Sequence, residues 1–135
     1  MGFIFASQIC TTCEQSKRLL TLGLKNETAD MCYQVRFFDP FPQNLVDCTP
    51  SLLPHPPIND ERFIPAWSLH RLMEMCPLIP NPSRFLAITT FKTVYVRMND
   101  EMDMCYAGKG AYDNLIDCIA WLIREGYFDK KYLKE

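Results

Sequence analysis

The sequence predicts an α+β fold in which a small, mostly antiparallel sheet is covered by about three helices. Three observations carry this. Residues 84–107 hold three runs of alternating character, three other stretches place apolar residues at helical spacing behind a capping residue, and all ten prolines fall between Pro40 and Pro82. With 135 residues, 48% hydrophobic and 22% charged, the chain is sized for one domain, 1–135, that buries its own core.

The first helix, 12–22, opens at Thr12-Cys13-Glu14-Gln15. This is a capping box: the threonine hydroxyl accepts from the Gln15 backbone and the Gln15 side chain reaches back. Gly23 provides a left-handed stop. A helical turn over 26–30 leads into 31–37, where Met31, Tyr33, Val35 and Phe37 alternate with mostly polar residues, the pattern of a strand available to the main sheet. The segment 40–66 reads as irregular surface chain, because proline removes a backbone donor and disfavours helix before it; Pro54, Pro56 and Pro57 make a stiff stretch.

A second helix spans 68–76. Ser68 caps it, Trp67 is placed to staple against Leu72, Leu69, Leu72, Met73 and Cys76 share one face, and Pro77 ends it. The runs 85–90, 93–98 and 102–107 then form a three-stranded meander, with a polar turn at Asn99, Asp100 and Glu101. The last helix, 113–125, takes Asp113 as cap and stops before Gly126. Leu115, Ile116, Ile119, Leu122 and Ile123 form its apolar stripe. Trp121 falls outside that stripe, between Asp117 and Glu125. Either Tyr127, Phe128, Tyr132 and Leu133 of the tail cover it, or it is left for a partner, and Trp121, Tyr127 and Phe128 are the candidate partner-binding residues.

Composition excludes several classes. Fourteen Lys and Arg against sixteen Asp and Glu give a net charge of −2, so no excess of positive potential calls for nucleic acid or an anionic membrane. A nucleic-acid reading would need Lys109, Lys130, Lys131 and Lys134 gathered near Tyr127 and Tyr132. No apolar run approaches the roughly 20 residues that span a bilayer, and the start, Met1-Gly2-Phe3-Ile4-Phe5-Ala6, lacks a basic leader, so a cytoplasmic location is expected. The seven cysteines, at 10, 13, 32, 48, 76, 105 and 118, are odd in number and scattered. They read as small buried hydrophobes rather than a disulfide framework.

One motif carries a chemical mechanism. In Cys10-Thr11-Thr12-Cys13 a thiolate near a helix start has its pKa lowered by unpaired backbone N–H groups, and a second thiol can resolve a mixed disulfide. With Phe3-Ile4-Phe5-Ala6 as a strand before it and Glu-Gln-Ser-Lys-Arg-Leu-Leu after it, the segment resembles the opening of glutaredoxins, and Gly110-Ala111-Tyr112-Asp113 faintly resembles their closing segment. That resemblance implies a thiol–disulfide oxidoreductase with Cys10 attacking and Cys13 resolving. The pattern departs from that family where a cis proline should precede the third strand, since no proline follows Pro82.

Other constellations are weaker. A zinc site would have to be assembled from pairs such as Cys48 with His55 or His70 with Cys76, and His70 is explained by Glu74 one turn later. Gly108-Lys109-Gly110 lacks the rest of a phosphate loop, and Asp113 would repel an anion. No Ser-His-acid order or HExxH appears, so no cofactor, metal or hydrolytic residue is assigned.

Three further segments resemble, in order and spacing, a group of small uncharacterised proteins of Bacteroides-type bacteria, their phages and mobile elements. They are Glu14 to Leu20 with Thr28-Ala29-Asp30-Met31-Cys32-Tyr33; Pro65-Ala66-Trp67-Ser68-Leu69; and Ala111-Tyr112-Asp113-Asn114-Leu115-Ile116-Asp117. The similarity runs from 12 to 128. It implies no catalytic residues, and the expected function is that of a non-enzymatic accessory or interaction protein with a protein partner, a second copy of the chain included; the glutaredoxin-like activity is the alternative.

Overall fold

Thr12 opens the first helix as its sequence requires. In the computed structural model, which describes residues 7–34, 50–52, 63–80, 83–89, 92–97 and 102–135, α1 spans Cys13–Leu22 and both bonds of the capping box are made: Gln15 N–H to Thr12 Oγ1 at 3.1 Å and Thr12 N–H to Gln15 Oε1 at 2.9 Å. Gly23, at φ 108°, closes the helix in the left-handed region and sends its N–H back to the Leu20 carbonyl. One 3-10 turn, Asn26–Thr28, then feeds β1, Met31–Gln34.

The first sheet differs from expectation in two ways. The strand begun at Met31 does not join the meander; it is the centre of a separate antiparallel sheet, with β2 (Pro50–Leu52) on one side and β3 (Phe63–Ala66) on the other. Alternation says which residues share a face, not which strand lies alongside, and the meander's central strand already has two neighbours. The segment 40–66 is also not wholly irregular, because β2 and β3 lie within it. Pro50 is the first residue of β2 and Pro65 lies in β3, facing Cys32. Both strands flank β1 at the sides of the described sheet, where a proline forfeits no interior ladder bond. Residues 35–37 and the proposed strand at Phe3 to Ala6 lie outside the described residues.

The helix α2, Leu69–Met75, keeps Ser68 as its cap, with the Arg71 N–H on Ser68 Oγ at 3.1 Å. The meander follows as β4 (Arg84–Ile88), β5 (Lys92–Arg97) and β6 (Met102–Ala107), in that order and antiparallel, with an irregularity at Tyr95 and Val96. The expected turn at 99–101 lies outside the described residues.

The last helix, α3, starts earlier than expected, at Ala111, and ends at Arg124. Gly110 takes the cap position without a side-chain bond, and Asp113 sits within the first turn, accepting from Gln15 Nε2 at 2.9 Å. A carboxylate there still faces the positive end of the helix. Gly126, at φ 79°, lets the chain turn back so that the Tyr127 and Phe128 N–H groups reach the Leu122 carbonyl. Of the predicted stripe, Leu115, Ile116, Ile119 and Leu122 are buried and Ile123 is half-buried, and Asn114 and Cys118 are buried too, because α3 packs against α1, α2 and the β4–β5–β6 sheet together.

Trp67 locks the start of α2 to α1. Its side chain is buried, its indole N–H donates to Thr28 Oγ1 at 3.0 Å, its backbone N–H reaches Thr11 Oγ1 at 3.1 Å, and its carbonyl accepts from the Thr11 N–H at 2.8 Å. Trp67→Ala is expected to lower stability by about 3–5 kcal/mol through the cavity left behind, whereas Thr12→Ala should cost about 1 kcal/mol by loss of a cap. Urea unfolding of both variants against the parent measures the difference.

Candidate functional site

Cys10 and Cys13, the sequence-predicted thiols, lie where the starts of α1, α2 and α3 meet. Gln15 links α1 to Asp113 of α3, the Leu69 N–H of α2 donates to the Tyr112 hydroxyl of α3 at 3.2 Å, and Thr11 binds Trp67 as described. Cys13 is half-buried at the first position of α1; Cys10, just before it, is 2% exposed. The Cys10 thiol donates to the Tyr33 hydroxyl at 3.4 Å, and that hydroxyl donates to the Thr11 carbonyl at 2.8 Å. Asp30 accepts from the Ser68 N–H at 2.8 Å and from Ser68 Oγ at 2.5 Å.

The electrostatics of this cluster oppose a nucleophilic thiolate. Burial pushes the Cys10 thiol above its ordinary value; the Tyr33 hydroxyl pulls it down by hydrogen bonding, Asp30 pushes it up again, and the net direction is upward. Cys32, buried on β1, is raised by its own burial and by Cys10. Tyr33 is pushed far up by burial and by Cys10, and Tyr112 rises through burial, although the Leu69 N–H stabilises its charged form. Each of these groups holds its proton at neutral pH. The arrangement is a protonated hydrogen-bond relay that ties chain segments together, and among the described residues the charged group acting on Cys10 is the Asp30 carboxylate, which opposes a thiolate.

The second group of predicted residues is only partly brought together. Trp121 is half-buried, its ring 5.8 Å from Tyr95 and 5.7 Å from Tyr127. Tyr127 is 38% exposed and stacks with the Arg84 guanidinium, 5.1 Å from its centroid, while its hydroxyl accepts from Arg84 at 3.3 Å. Phe128 is in the core, 5.7 Å from the Tyr132 ring. In this conformation Phe128 presents nothing to a partner, because the left-handed turn at Gly126 folds the tail back over Leu122.

The remaining constellations resolve into local structure. Lys109 pairs with Asp117 at 3.0 Å, and its carbonyl accepts from Asn114 Nδ2 at 3.0 Å, so the Gly108-Lys109-Gly110 turn is bound to α3. Lys131 stacks on Tyr132 at 5.0 Å, with Arg71 on the same ring at 5.7 Å. His70 faces Glu74 at 3.2 Å, as the one-turn spacing predicts. Among the described residues no three His, Cys, Asp or Glu side chains gather in a form that could hold a metal ion, and Cys48 and His55 lie outside them.

An apolar surface was missed. On β4–β5–β6 the parity of Tyr95, Leu86, Ile88 and Tyr106 faces the main core, which leaves Phe85, Ala87, Val94, Val96 and Cys105 on the opposite side of the sheet, where Val94 is buried, Ala87 and Val96 are half-buried and Phe85 and Cys105 are exposed. Phe85 is 40% exposed, and Leu78, next to the Ile79–Arg84 backbone bridge, is 65% exposed. The signal lay in Phe85 to Ile88 and Val94 to Val96, which are apolar at consecutive positions and so put apolar side chains on both faces of the sheet. No protein-family model, no curated protein and no solved structure matches the chain.

Two measurements follow from these environments. Iodoacetamide at pH 8 is expected to label exposed Cys105 at least about tenfold faster than Cys10, read by peptide mass spectrometry. Burial alone would raise Asp117, but hydrogen bonds and charge from Arg18, at 2.6 Å, and Lys109 hold it below the ordinary carboxylate value. Its contribution to stability is therefore complete above the unfolded value and is lost as pH falls through the folded one. Asp117→Asn should cost roughly 1 kcal/mol at pH 7, discounted for the exposed partners, and progressively less below about pH 4; urea unfolding across that range tests it.

Proposed function

We propose that this chain acts by binding another protein, as a non-enzymatic accessory protein of a phage or mobile element. The observation that carries the binding reading is at the start of β4: the exposed Tyr127 ring with the Arg84 guanidinium stacked on it and Trp121 behind it, exposed Leu78 beside the Ile79–Arg84 bridge, and exposed Phe85 on the other face of the strand. Aromatic rings with a stacked arginine, beside exposed aliphatic surface, are the residue types that dominate protein interfaces. The phage or mobile-element origin is supported by the three sequence segments alone.

The glutaredoxin-like alternative is disfavoured by the protected, protonated state of Cys10. The two readings separate in one experiment. Leu78→Ser and Tyr127→Ser change exposed side chains, so each should alter stability by less than about 1 kcal/mol. Each should also lower the yield of partner captured on the immobilised chain, or of self-association in sedimentation velocity, by at least about tenfold. Unchanged capture and association, together with catalytic turnover of a glutathione mixed disulfide by the wild type, would replace binding with redox chemistry as the function.

A further inference from the structure

One outer edge of the meander lacks the usual defences among the described residues. An outer strand presents unpaired N–H and C=O groups, and natural sheets blunt it with proline, charge or a bulge. The outer strands β2 and β3 carry Pro50 and Pro65, and the ladder of β6 slips where it meets Tyr95 and Val96. In β4, by contrast, Phe85 to Ile88 are apolar and in unbroken register with β5. The direction of its backbone groups follows from its two ends. Arg84 exchanges both backbone bonds with Ile79, at 2.7 and 3.0 Å, on the side away from β5, whereas the Thr89 N–H reaches the Lys92 carbonyl at 2.9 Å on the β5 side. Along an antiparallel strand the bonding direction alternates from residue to residue. Phe85 and Ala87 therefore bond to β5, and Leu86 and Ile88 direct their N–H and C=O groups outward, where no described residue takes them.

We propose that this edge pairs antiparallel with the same edge of a second copy of the chain, about a two-fold axis at Ala87, joining two meanders into one continuous sheet. Leu86 of each copy then faces Ile88 of the other, and each such pair exchanges both of its N–H to C=O bonds. The register is fixed by what bounds the free stretch. Centring the pair on Leu86 would set Ile88 against Arg84, whose outward groups already belong to Ile79, and centring it on Ile88 would carry Leu86 past the end of the strand. With the axis at Ala87, Thr89 of each copy comes opposite Phe85 of the other, one residue short of the place beside Arg84 that Ile79 holds. A second copy is thus the occupant whose free length matches, because it is bounded at both ends as this edge is.

Side chains favour the same register. Ala87 meets Ala87 of the second copy at a pair whose Cα atoms approach to about 4.5 Å, a separation that suits a methyl group. Phe85, 40% exposed, gains Ala87 and Thr89 of the second copy as neighbours on its face. Leu86 and Ile88, partly buried at the margin of the main core, gain one another on the opposite face. Pairing therefore takes apolar surface out of water on both sides of the sheet. It names a second copy as a partner within the binding reading above, yet Leu78 and Tyr127 take no part in its register, so the two can fail separately.

The test uses the full chain. Sedimentation velocity of the wild type is expected to show a species of twice 15.7 kDa that grows with concentration. Ala87→Cys, treated with oxidised glutathione, locates the contact: trypsin cleavage after Arg84 and Lys92 releases peptide 85–92, which has no native cysteine. Two such peptides joined by a disulfide come only from two chains meeting at position 87, and they are expected at least about tenfold faster than from Phe85→Cys, whose copies are out of register with each other. Ala87→Lys sets like charges face to face at the axis and should weaken the dimer by at least about tenfold. Capture of other proteins on the immobilised chain reads the Tyr127 surface and should be unchanged by Ala87→Lys, which tells failure of the pairing from failure of that surface. A wild type that stays monomeric overturns the proposal and leaves the edge to a strand of another protein. A dimer in which Ala87→Cys links no faster than Phe85→Cys overturns it in favour of another interface; neither result requires Ala87→Lys to fold.

Discussion

Trp67 is the constraint on which the rest of the structure depends. It follows β3 and precedes the cap of α2, so whatever fixes it fixes the junction between the first sheet and the helical layer. Both of its backbone groups are held by Thr11, one residue before the cap of α1, and its indole N–H is held by Thr28, at the end of the turn that feeds β1. A ring of this size buried without a partner for its N–H would lose much of what its burial contributes. Thr28 meets that need, and in doing so brings β1 and β3 alongside the starts of α1 and α2.

The same economy shapes α3. A helix packed against two other helices and a sheet has little surface left for solvent, and its polar residues must find partners within the fold. Asp113 takes the Gln15 amide, Asn114 donates to the Lys109 carbonyl, and Asp117 holds both Arg18 and Lys109. These contacts set the position of α1 on α3 and anchor the glycine turn ahead of α3. Residues that look functional in a linear reading, the glycine pair with its lysine and the acidic residues after it, are thereby occupied in joining elements.

The thiols illustrate how environment decides chemistry. Cys10 sits immediately before a helix start, which by position favours a thiolate, yet it is buried beside Asp30 with its proton directed to Tyr33. Burial and a neighbouring carboxylate outweigh what the position offers. On the β4 side of the molecule the tail has folded Phe128 inward and left the Tyr127 ring outside on Arg84.

The amino-acid sequence alone determined what local rules govern. Thr12, Gly23, Ser68 and Gly126 placed helix ends to within a residue or two, because a cap bonds within its own turn and a left-handed stop needs only the absence of a Cβ. The three strands of the meander were legible from their runs, since sequence-adjacent antiparallel strands need nothing distant to pair. Tertiary structure decided the rest. Pairing of Met31 with Leu52 and Ala66 depends on which strands are free after the meander forms, and two of those strands carry prolines that hide them from local propensity. The start of α3 falls at Ala111 behind Gly110, and Asp113, expected as the cap, instead accepts from Gln15, a residue 98 positions away in sequence. The protonation of Cys10 and the exposure of Tyr127 both depend on burial, which is a property of the folded chain and is carried by no single segment of it.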